Sequence, residues 1–191
     1  MVEVVCPLSY LKIKEEAEFD MASDKNICSL LRTLASSCQG GAFLELGTGT
    51  GLSTSFILDG MRKDAKLTSI DNEEVLLRIA QKYLGSDSRL TLINSDGGEW
   101  LRQNLNKKYD YIFADTWHGK YLMLEETLNM LNEGGFYIID DILPQDSWPK
   151  AHFEKTSRLL ETLQERDDLV MTHLDWGSGV VIAVKKKPRT L

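Results

Sequence analysis

The sequence predicts an α/β fold in which five parallel strands form one sheet, helices cover both faces, and an antiparallel hairpin ends the chain. Two observations support this prediction. After residue 41, short apolar runs alternate with helical segments, a pattern that is typical of parallel sheets buried on both faces. The last two apolar runs are separated only by DWGS, which is too short for a parallel crossover and therefore indicates a hairpin.

Each element follows from its local pattern. Residues 9–38 predict two helices broken near residues 20–24, because apolar residues from Ile27 to Leu34 recur on one helix face. Strands are predicted at 42–46, 66–70, 89–94, 109–114 and 135–140, and the hairpin strands at 169–174 and 179–185. The intervening helices are predicted at 52–61, 73–83, 99–105, 121–131 and 149–166. We expect one domain over residues 1–191, with N-terminal helices in 1–39 and an α/β core in 40–187.

Composition excludes several classes of protein. The 191 residues are 42% hydrophobic, enough for one core, and the net charge of −7 argues against a general nucleic-acid binder. Cys6, Cys28 and Cys38 lack C-x-x-C spacing, which fits a reducing cytoplasm better than a disulfide framework. No uncharged apolar run approaches the roughly 20 residues of a membrane span. We expect a cytoplasmic protein that binds neither nucleic acid nor membrane.

A glycine loop joins the first predicted strand to a helix in FLELGTGTGLS, residues 43–53. Gly47, Gly49 and Gly51 allow a tight turn and close approach of a ligand, and the following helix N-terminus offers N–H groups to an anion. The dinucleotide fingerprint would need glycine at Leu52, and no Gly-Lys-Ser/Thr follows. The loop therefore indicates a different ligand from a dinucleotide or a nucleoside triphosphate.

Three acids narrow the ligand class. Glu45, just before the first glycine, would repel a pyrophosphate but suits an ammonium group. Asp71 ends the second strand, where a carboxylate can accept hydrogen bonds from both ribose hydroxyls. Asp96 ends the third strand and suits an adenine amino group. A nucleoside with an amino-acid tail matches all three, although Asp71 could instead cap a helix and Asp96 could form a turn.

With these residues, the sequence from about 40 to 185 resembles the class I S-adenosylmethionine-dependent methyltransferases, which also have the terminal hairpin. The resemblance implies a single Rossmann-like, doubly wound sheet of seven strands and S-adenosylmethionine as cofactor. It also implies cofactor contacts at the following positions: Glu45, Gly47, Thr48, Gly49, Ser53, Asp71, Asp96, Gly97 and Trp117.

A second group of acids follows the next two strands. Asp115 ends the fourth strand, and Asp140 and Asp141 end the fifth in GGFYIIDDILPQDSW. Adjacent parallel strands lie about 4.8 Å apart, so these carboxylates should meet at one edge of the sheet. Protonation or a bound cation would relieve their repulsion, and an all-oxygen cluster suits Mg²⁺, Ca²⁺ or Mn²⁺. Without a metal, the same aspartates would form turns and helix caps.

This second pattern is similar to the cation-dependent small-molecule O-methyltransferases of the catechol and caffeoyl-coenzyme A group. The similarity implies one Mg²⁺ or Ca²⁺ bound by Asp115, Asp140 and Asp141, a small-molecule acceptor, and a homodimer, with residues 1–39 on the acceptor or dimer side. The cation would lower the pKa of the hydroxyl to be methylated. Asp141 stands where the group usually has Asn, which adds negative charge.

The expected catalytic residues also depart from that group. It places a lysine three residues after the strand-four aspartate, whereas this chain has His118 there and Lys120 two residues later. We expect Asp115 and His118 to be catalytic, because a histidine titrates near neutral pH, although His118 could equally be a surface-loop residue. Trp117 could line the adenine site and Trp148 could lie in a lid over the acceptor, although plain packing would explain either tryptophan equally well.

Three alternatives stay open. The chain could be a metal-independent N- or O-methyltransferase in which Asp140 or Asp141 orients the acceptor. It could be an aminopropyltransferase, because SDGGEWL and YDYIFADT weakly resemble that relative of the fold. It could also be a cofactor-binding module without catalysis, a possibility that intact cofactor residues do not remove.

Overall fold

The computed structural model describes residues 3–17, 23–143 and 150–187, with side chains described except at 150 and 151. The helices are α1 Leu8–Glu16, α2 Lys25–Ser37, α3 Leu52–Gly60, α4 Glu74–Leu84, α5 Gly97–Asn104, α6 Leu124–Asn129 and α7 Lys150–Gln164. The strands are β1 Ala42–Leu46, β2 Lys66–Asp71, β3 Leu90–Asn94, β4 Tyr109–Ala114, β5 Leu131–Ile139, β6 Leu169–Leu174 and β7 Val180–Lys185. Within the described ranges, no helix has the length and apolar character to cross a membrane.

The seven strands form one sheet in the order β3-β2-β1-β4-β5-β7-β6. Strands β1 to β5 pair in parallel, and β7 runs antiparallel to both β5 and β6. The predicted fold class is confirmed, and the last strand lies between β5 and β6. The strand order reverses direction between β1 and β4, and ligands of open α/β sheets bind at such a switch point.

Helices cover both faces because neighbouring strand residues point to opposite sides. Phe43 and Tyr111 pack with α1, α2 and α3, whereas Leu44 and Ile112 pack with α5, α6 and α7. The rings of Phe43 and Tyr111 stack with centroids 4.9 Å apart across β1 and β4. This two-sided burial explains why the strands read as nearly continuous apolar runs rather than as alternating ones.

The structure shortens one predicted helix and lengthens one strand. Helix α6 begins at Leu124 rather than near residue 121, because the chain turns tightly before it. The N–H groups of Tyr121 and Leu122 both donate to the carbonyl oxygen of Trp117 at 2.9 Å. Strand β5 begins at Leu131, which pairs with Tyr109 before the register shifts. The turns over residues 117–122 therefore belong to the loop that follows β4.

Glu45 ties three elements together beneath the glycine loop. It is fully buried, and its carboxyl accepts hydrogen bonds from Ser53 at 2.7 Å, Thr54 at 2.6 Å and Ser69 at 2.5 Å. Ser53 and Thr54 belong to α3 and Ser69 to β2, so the carboxyl joins both to β1. Burial raises the pKa of Glu45 to about 7, although the three hydroxyl donors act to lower it.

This raised pKa predicts a pH-dependent stability that Glu45→Gln should remove. The carboxyl has a pKa of about 7 when folded and 4.5 as its ordinary value. Between pH 4.5 and 7 the folded state binds more protons than the unfolded state, so the free energy of unfolding falls as pH rises. At 1.36 kcal/mol per pKa unit, the total fall is roughly 3 kcal/mol. Glutamine does not titrate, so the variant should lack this fall.

The measurement is urea denaturation of both proteins from acid to mildly alkaline pH. Glu161→Gln on the exposed face of α7 is the control and should follow the wild-type profile. An equally steep fall in Glu45→Gln would show that another group causes the pH dependence.

Candidate active site

A cavity of about 470 Å³ opens at the carboxyl edge of the sheet, beside the switch point between β1 and β4. Four segments supply most of its walls: the glycine loop with the start of α3, the residues after β2, the loop after β4, and the end of β5 with α7. The described lining residues are Ser23, Gly47, Thr48, Gly49, Thr50, Leu52, Ser53, Asp71, Asn72, Glu73, Leu76, Asp115, Thr116, Trp117, Lys120, Tyr121, Asp141 and His152.

The glycine loop adopts a backbone that only glycine accommodates easily. Gly47, Gly49 and Gly51 have φ angles of 105°, 52° and 91°. A Cβ on Gly47 would lie 2.8 Å from Cγ2 of Thr116, so the loop passes against the end of β4 without room for a side chain. The first N–H groups of α3 have no partner within the helix and lie next to the cavity. This cradle fits the carboxylate of an amino-acid tail.

Asp71 both holds the loop and faces the cavity. One carboxylate oxygen accepts the N–H of Gly49 at 2.7 Å, and the other accepts the N–H of Glu73 at 2.9 Å. Each oxygen of an ionised carboxylate has about two acceptor sites, so each keeps one for a ligand. The predicted contact to a pair of ribose hydroxyls fits this geometry.

The remaining predicted cofactor residues divide into two groups. Thr48, Ser53 and Trp117 line the cavity, together with the two glycines and Asp71. Glu45 instead lies inside the protein, and neither Asp96 nor Gly97 is among the described lining residues. Asp96 caps α5 by accepting the N–H of Glu99 at 2.9 Å, a bond that lowers the pKa of Asp96. The adenine contact of Asp96 and Gly97 stays a prediction.

The three acids after β4 and β5 meet as expected but do not share one environment. Asp115 and Asp141 line the cavity, whereas Asp140 is fully buried. Oδ1 of Asp140 accepts the N–H of Asp141 at 2.7 Å and the hydroxyl of Ser178. Oδ2 of Asp140 has no hydrogen-bond partner among the described residues. Oδ2 of Asp115 accepts the hydroxyl of Ser23 at 3.0 Å.

The pKa values of this acid cluster, Asp115, Asp140 and Asp141, reflect burial and mutual repulsion. Burial, followed by the charges of Asp140 and Asp141, raises the pKa of Asp115 well above its usual value. Burial also raises the pKa of Asp140, against the lowering effect of the Ser178 hydroxyl. Both carboxyls therefore hold their protons more tightly than an exposed aspartate does.

Lys120 lines the cavity together with Asp115 and Asp141, and the sequence analysis gave it no role. It is 5% exposed, and its Nζ donates to the carbonyl oxygen of Asp140 at 2.6 Å. Burial lowers the pKa of Lys120, while Asp115, Asp141 and Asp140 act to raise it. Gly119 turns the chain with φ of 81°, and a Cβ there would lie 2.6 Å from Cδ1 of Leu46. This glycine is the sequence signal that marks a tight turn before a buried lysine.

The acid cluster as arranged does not fit a resident divalent cation. Across the described residues, no group of three or more His, Cys, Asp or Glu side chains could hold a metal ion. Asp140 is not a wall of the cavity, and Lys120 already brings a positive charge to the cluster. A divalent ion about 4 Å from an ammonium would be repelled by about 8 kcal/mol at an effective dielectric of 20. The Mg²⁺ or Ca²⁺ that the sequence predicted is therefore assigned no step.

His118 packs against Gly97 and Gly98 at the start of α5, whereas the sequence analysis expected it to be catalytic together with Asp115. A Cβ on Gly98 would lie 2.7 Å from Nε2 of His118, and one on Gly97 would lie 3.3 Å from its Cβ. The two glycines leave room for the imidazole, whose charge also lowers the pKa of Asp96. His118 is not among the described residues that line the cavity. Its role as catalytic base stays a prediction.

An aromatic wall formed by Trp117, Tyr121 and His152 closes one side of the cavity. The ring centroids lie 6.1 Å apart for Trp117 and Tyr121, and 5.3 Å apart for Tyr121 and His152. The Tyr121 hydroxyl lies 3.2 Å from Nε2 of His152 and 3.0 Å from the Thr156 hydroxyl. Nζ of Lys155 lies 4.0 Å from the Trp117 ring centroid. Such a wall suits a planar ligand with a polar edge.

Sequence reasoning did not identify His152, because nothing in its local pattern separates it from other polar residues of α7. Burial, then Lys120 and Lys155, lower the pKa of His152. The expected lid residue Trp148 lies outside the described residues.

Comparisons with known proteins agree with this geometry. A family model described as "Methyltransferase domain" matches residues 44–142, just over half of the chain. A Mycobacterium marinum protein named as an O-methyltransferase is 33% identical over 169 residues, covering 82% of this chain and 75% of the relative.

Two solved structures share the fold. The O-methyltransferase from Bacillus cereus in complex with SAH has a TM-score of 0.84 at 18% identity, covering 97% of this chain and 94% of that chain. The O-methyltransferase TomG from Streptomyces achromogenes, in complex with SAM, has a TM-score of 0.80 at 20% identity, covering 94% and 90%. The family model and the M. marinum relative assign the chain to the methyltransferase family as a class I S-adenosylmethionine-dependent O-methyltransferase, and the two structures share its fold.

Proposed function

We propose that the chain methylates a hydroxyl oxygen of a small, planar acceptor bound in the cavity. One observation carries the proposal: the same cavity joins the glycine loop and Asp71 to the polar group Asp115, Asp141 and Lys120, next to the aromatic wall. When bound, S-adenosylmethionine supplies a methyl group on a sulfonium, which an oxygen nucleophile can attack. The cavity thus holds a cofactor side and an acceptor side.

The chain's own residues account for binding and proton movement. Asp71 and the glycine loop hold the cofactor, and the aromatic wall holds the acceptor and excludes water. The Lys120 ammonium donates to the acceptor oxygen and stabilises the negative charge that develops there. A carboxylate of Asp115 or Asp141 accepts the hydroxyl proton. The acceptor oxygen bonds to the methyl carbon, and the carbon–sulfur bond breaks with its electron pair going to sulfur.

The finer expectations for this reaction are less well supported. The convergence of three acids and the unpartnered Oδ2 of Asp140 favour a divalent cation, whereas the position of Lys120 disfavours it. Acids beside the acceptor would also orient an amine, so N-methylation is the competing reaction. The names of the M. marinum, B. cereus and S. achromogenes proteins favour oxygen. Assaying matched phenols, catechols and aromatic amines with the full chain separates the two, and methylation of amines alone would refute the proposal.

The cofactor assignment predicts a loss of affinity in Asp71→Ala. Removing the carboxylate deletes its charged hydrogen bonds to the ligand, worth about 1.5–3 kcal/mol, and also frees the Gly49 N–H. Calorimetry should therefore show S-adenosylmethionine binding weakened by roughly tenfold to a hundredfold. Asp167→Ala, at an exposed aspartate after α7, should bind like wild type. Unchanged affinity in Asp71→Ala would remove the ribose assignment.

The aromatic wall predicts a selective effect in Trp117→Ala. Trp117 is 51% exposed on the cavity rim, and losing a ring contact of about 1 kcal/mol should raise KM for an aromatic acceptor roughly fivefold to tenfold. The affinity for S-adenosylmethionine should change little. Trp176→Ala, similarly exposed in the β6–β7 turn, is the matched control. If the affinity for S-adenosylmethionine falls instead, Trp117 contacts the cofactor, as the resemblance implied.

A further inference from the structure

We infer that the buried ammonium of Lys120, and not a divalent cation, is the positive charge that neutralises the acid cluster and contacts the acceptor oxygen. Methyl transfer by this chain would then need no divalent metal. The acceptor contact rests on the proposed function, but the neutralisation of the acid cluster does not.

The loop after β4 holds the ammonium in place. Nζ donates to the carbonyl oxygen of Asp140 at 2.6 Å, which uses one of the three N–H donors of a lysine. The backbone around it is fixed, because the N–H of Gly119 donates to the carbonyl oxygen of Leu122 at 2.8 Å and Tyr121 donates to that of Trp117. Lys120 lines the cavity together with Asp115 and Asp141. The bond to Asp140 leaves two of its three donors for the acids or for a ligand in the cavity.

Donor groups satisfy part of the acid cluster, although Oδ2 of Asp140 has no hydrogen-bond partner among the described residues. Hydroxyls of Ser23 and Ser178 donate to Asp115 and Asp140, and the N–H of Asp141 donates to Oδ1 of Asp140. Mg²⁺ demands near-octahedral oxygen ligands at about 2.0–2.1 Å, whereas no three acidic or imidazole side chains of the described residues are placed to hold a metal. Asp140, which would be the central ligand, is buried outside the cavity lining.

Removing the ammonium should convert the cluster into a cation site. Lys120→Met keeps the length of the side chain but leaves the carboxylates without their counter-charge. The variant should bind Mn²⁺ detectably, unlike wild type, because a like charge has left the site. Asp115→Asn in the same variant should abolish that gain. Lys108→Met is the matched control, since Lys108 is exposed and also bonds a main-chain carbonyl, that of Asn129, at 2.6 Å.

The test measures Mn²⁺ binding to the full-length proteins by electron paramagnetic resonance, with circular dichroism to check that each variant is folded. We expect no Mn²⁺ site in wild type and a gained site in Lys120→Met. Tight Mn²⁺ binding by wild type that Asp115→Asn removes would overturn the inference, and this comparison decides it even if Lys120→Met does not fold. This arm is independent of catalysis, so it stands even if no acceptor is methylated.

A second arm uses turnover with an acceptor found in the phenol and catechol panel. Wild type should react at the same rate in EDTA and in excess Mg²⁺. Lys120→Met should lose about 100-fold in kcat, as when one charge-stabilising donor is removed, with unchanged S-adenosylmethionine affinity. Lys120→Arg, which keeps the charge, should recover part of the loss. Loss of wild-type activity in EDTA that Mg²⁺ restores would overturn the inference while leaving the methyltransferase function intact.

Discussion

The repulsion between carboxylates at one edge of the sheet is the constraint on which the site depends. Parallel strands bring their carboxyl ends to the same edge, and here Asp71, Asp115, Asp140 and Asp141 all follow strands that end there. Each acid must find a donor or a proton, because an unpaired buried charge costs more than folding can supply. The loops, hydroxyls and helix starts around the cavity are arranged around that requirement.

The way each acid is satisfied separates structural from ligand-binding roles. Three hydroxyls donate to Glu45 inside the protein, so it holds β1, β2 and α3 together. Backbone N–H groups satisfy only one site on each oxygen of Asp71, so it can fix the loop and still bind a ligand. Asp71 therefore combines a structural role with a place on the cavity wall. Burial and donor geometry, more than residue type, therefore decide the role.

The sequence predicted the topology well because the signals for it are local: strand length, alternation of elements and a four-residue connection. The sequence also predicts on which face of the sheet the Glu45 side chain lies, although the sequence analysis did not use that signal. Leu44 and Leu46 face α5–α7, so period two sends the intervening Glu45 to the opposite face, under α3. The positions of His118 and Lys120 were harder, because they depend on a left-handed turn at Gly119 and its packing against Leu46. Such tertiary contacts produce no periodic pattern in the sequence.

Two departures from the cation-dependent group both change the net charge of the acid cluster. Asp141 adds a negative charge where that group has an amide, and Lys120 reaches the cluster from a position two residues later than expected. Burial raises the pKa of Asp115 and Asp140, so protonation and the Lys120 ammonium would both relieve the repulsion. The adjacent aspartates in IIDDI then have separate positions: the main-chain carbonyl of Asp140 accepts a hydrogen bond from the Lys120 ammonium, and Asp141 lines the cavity.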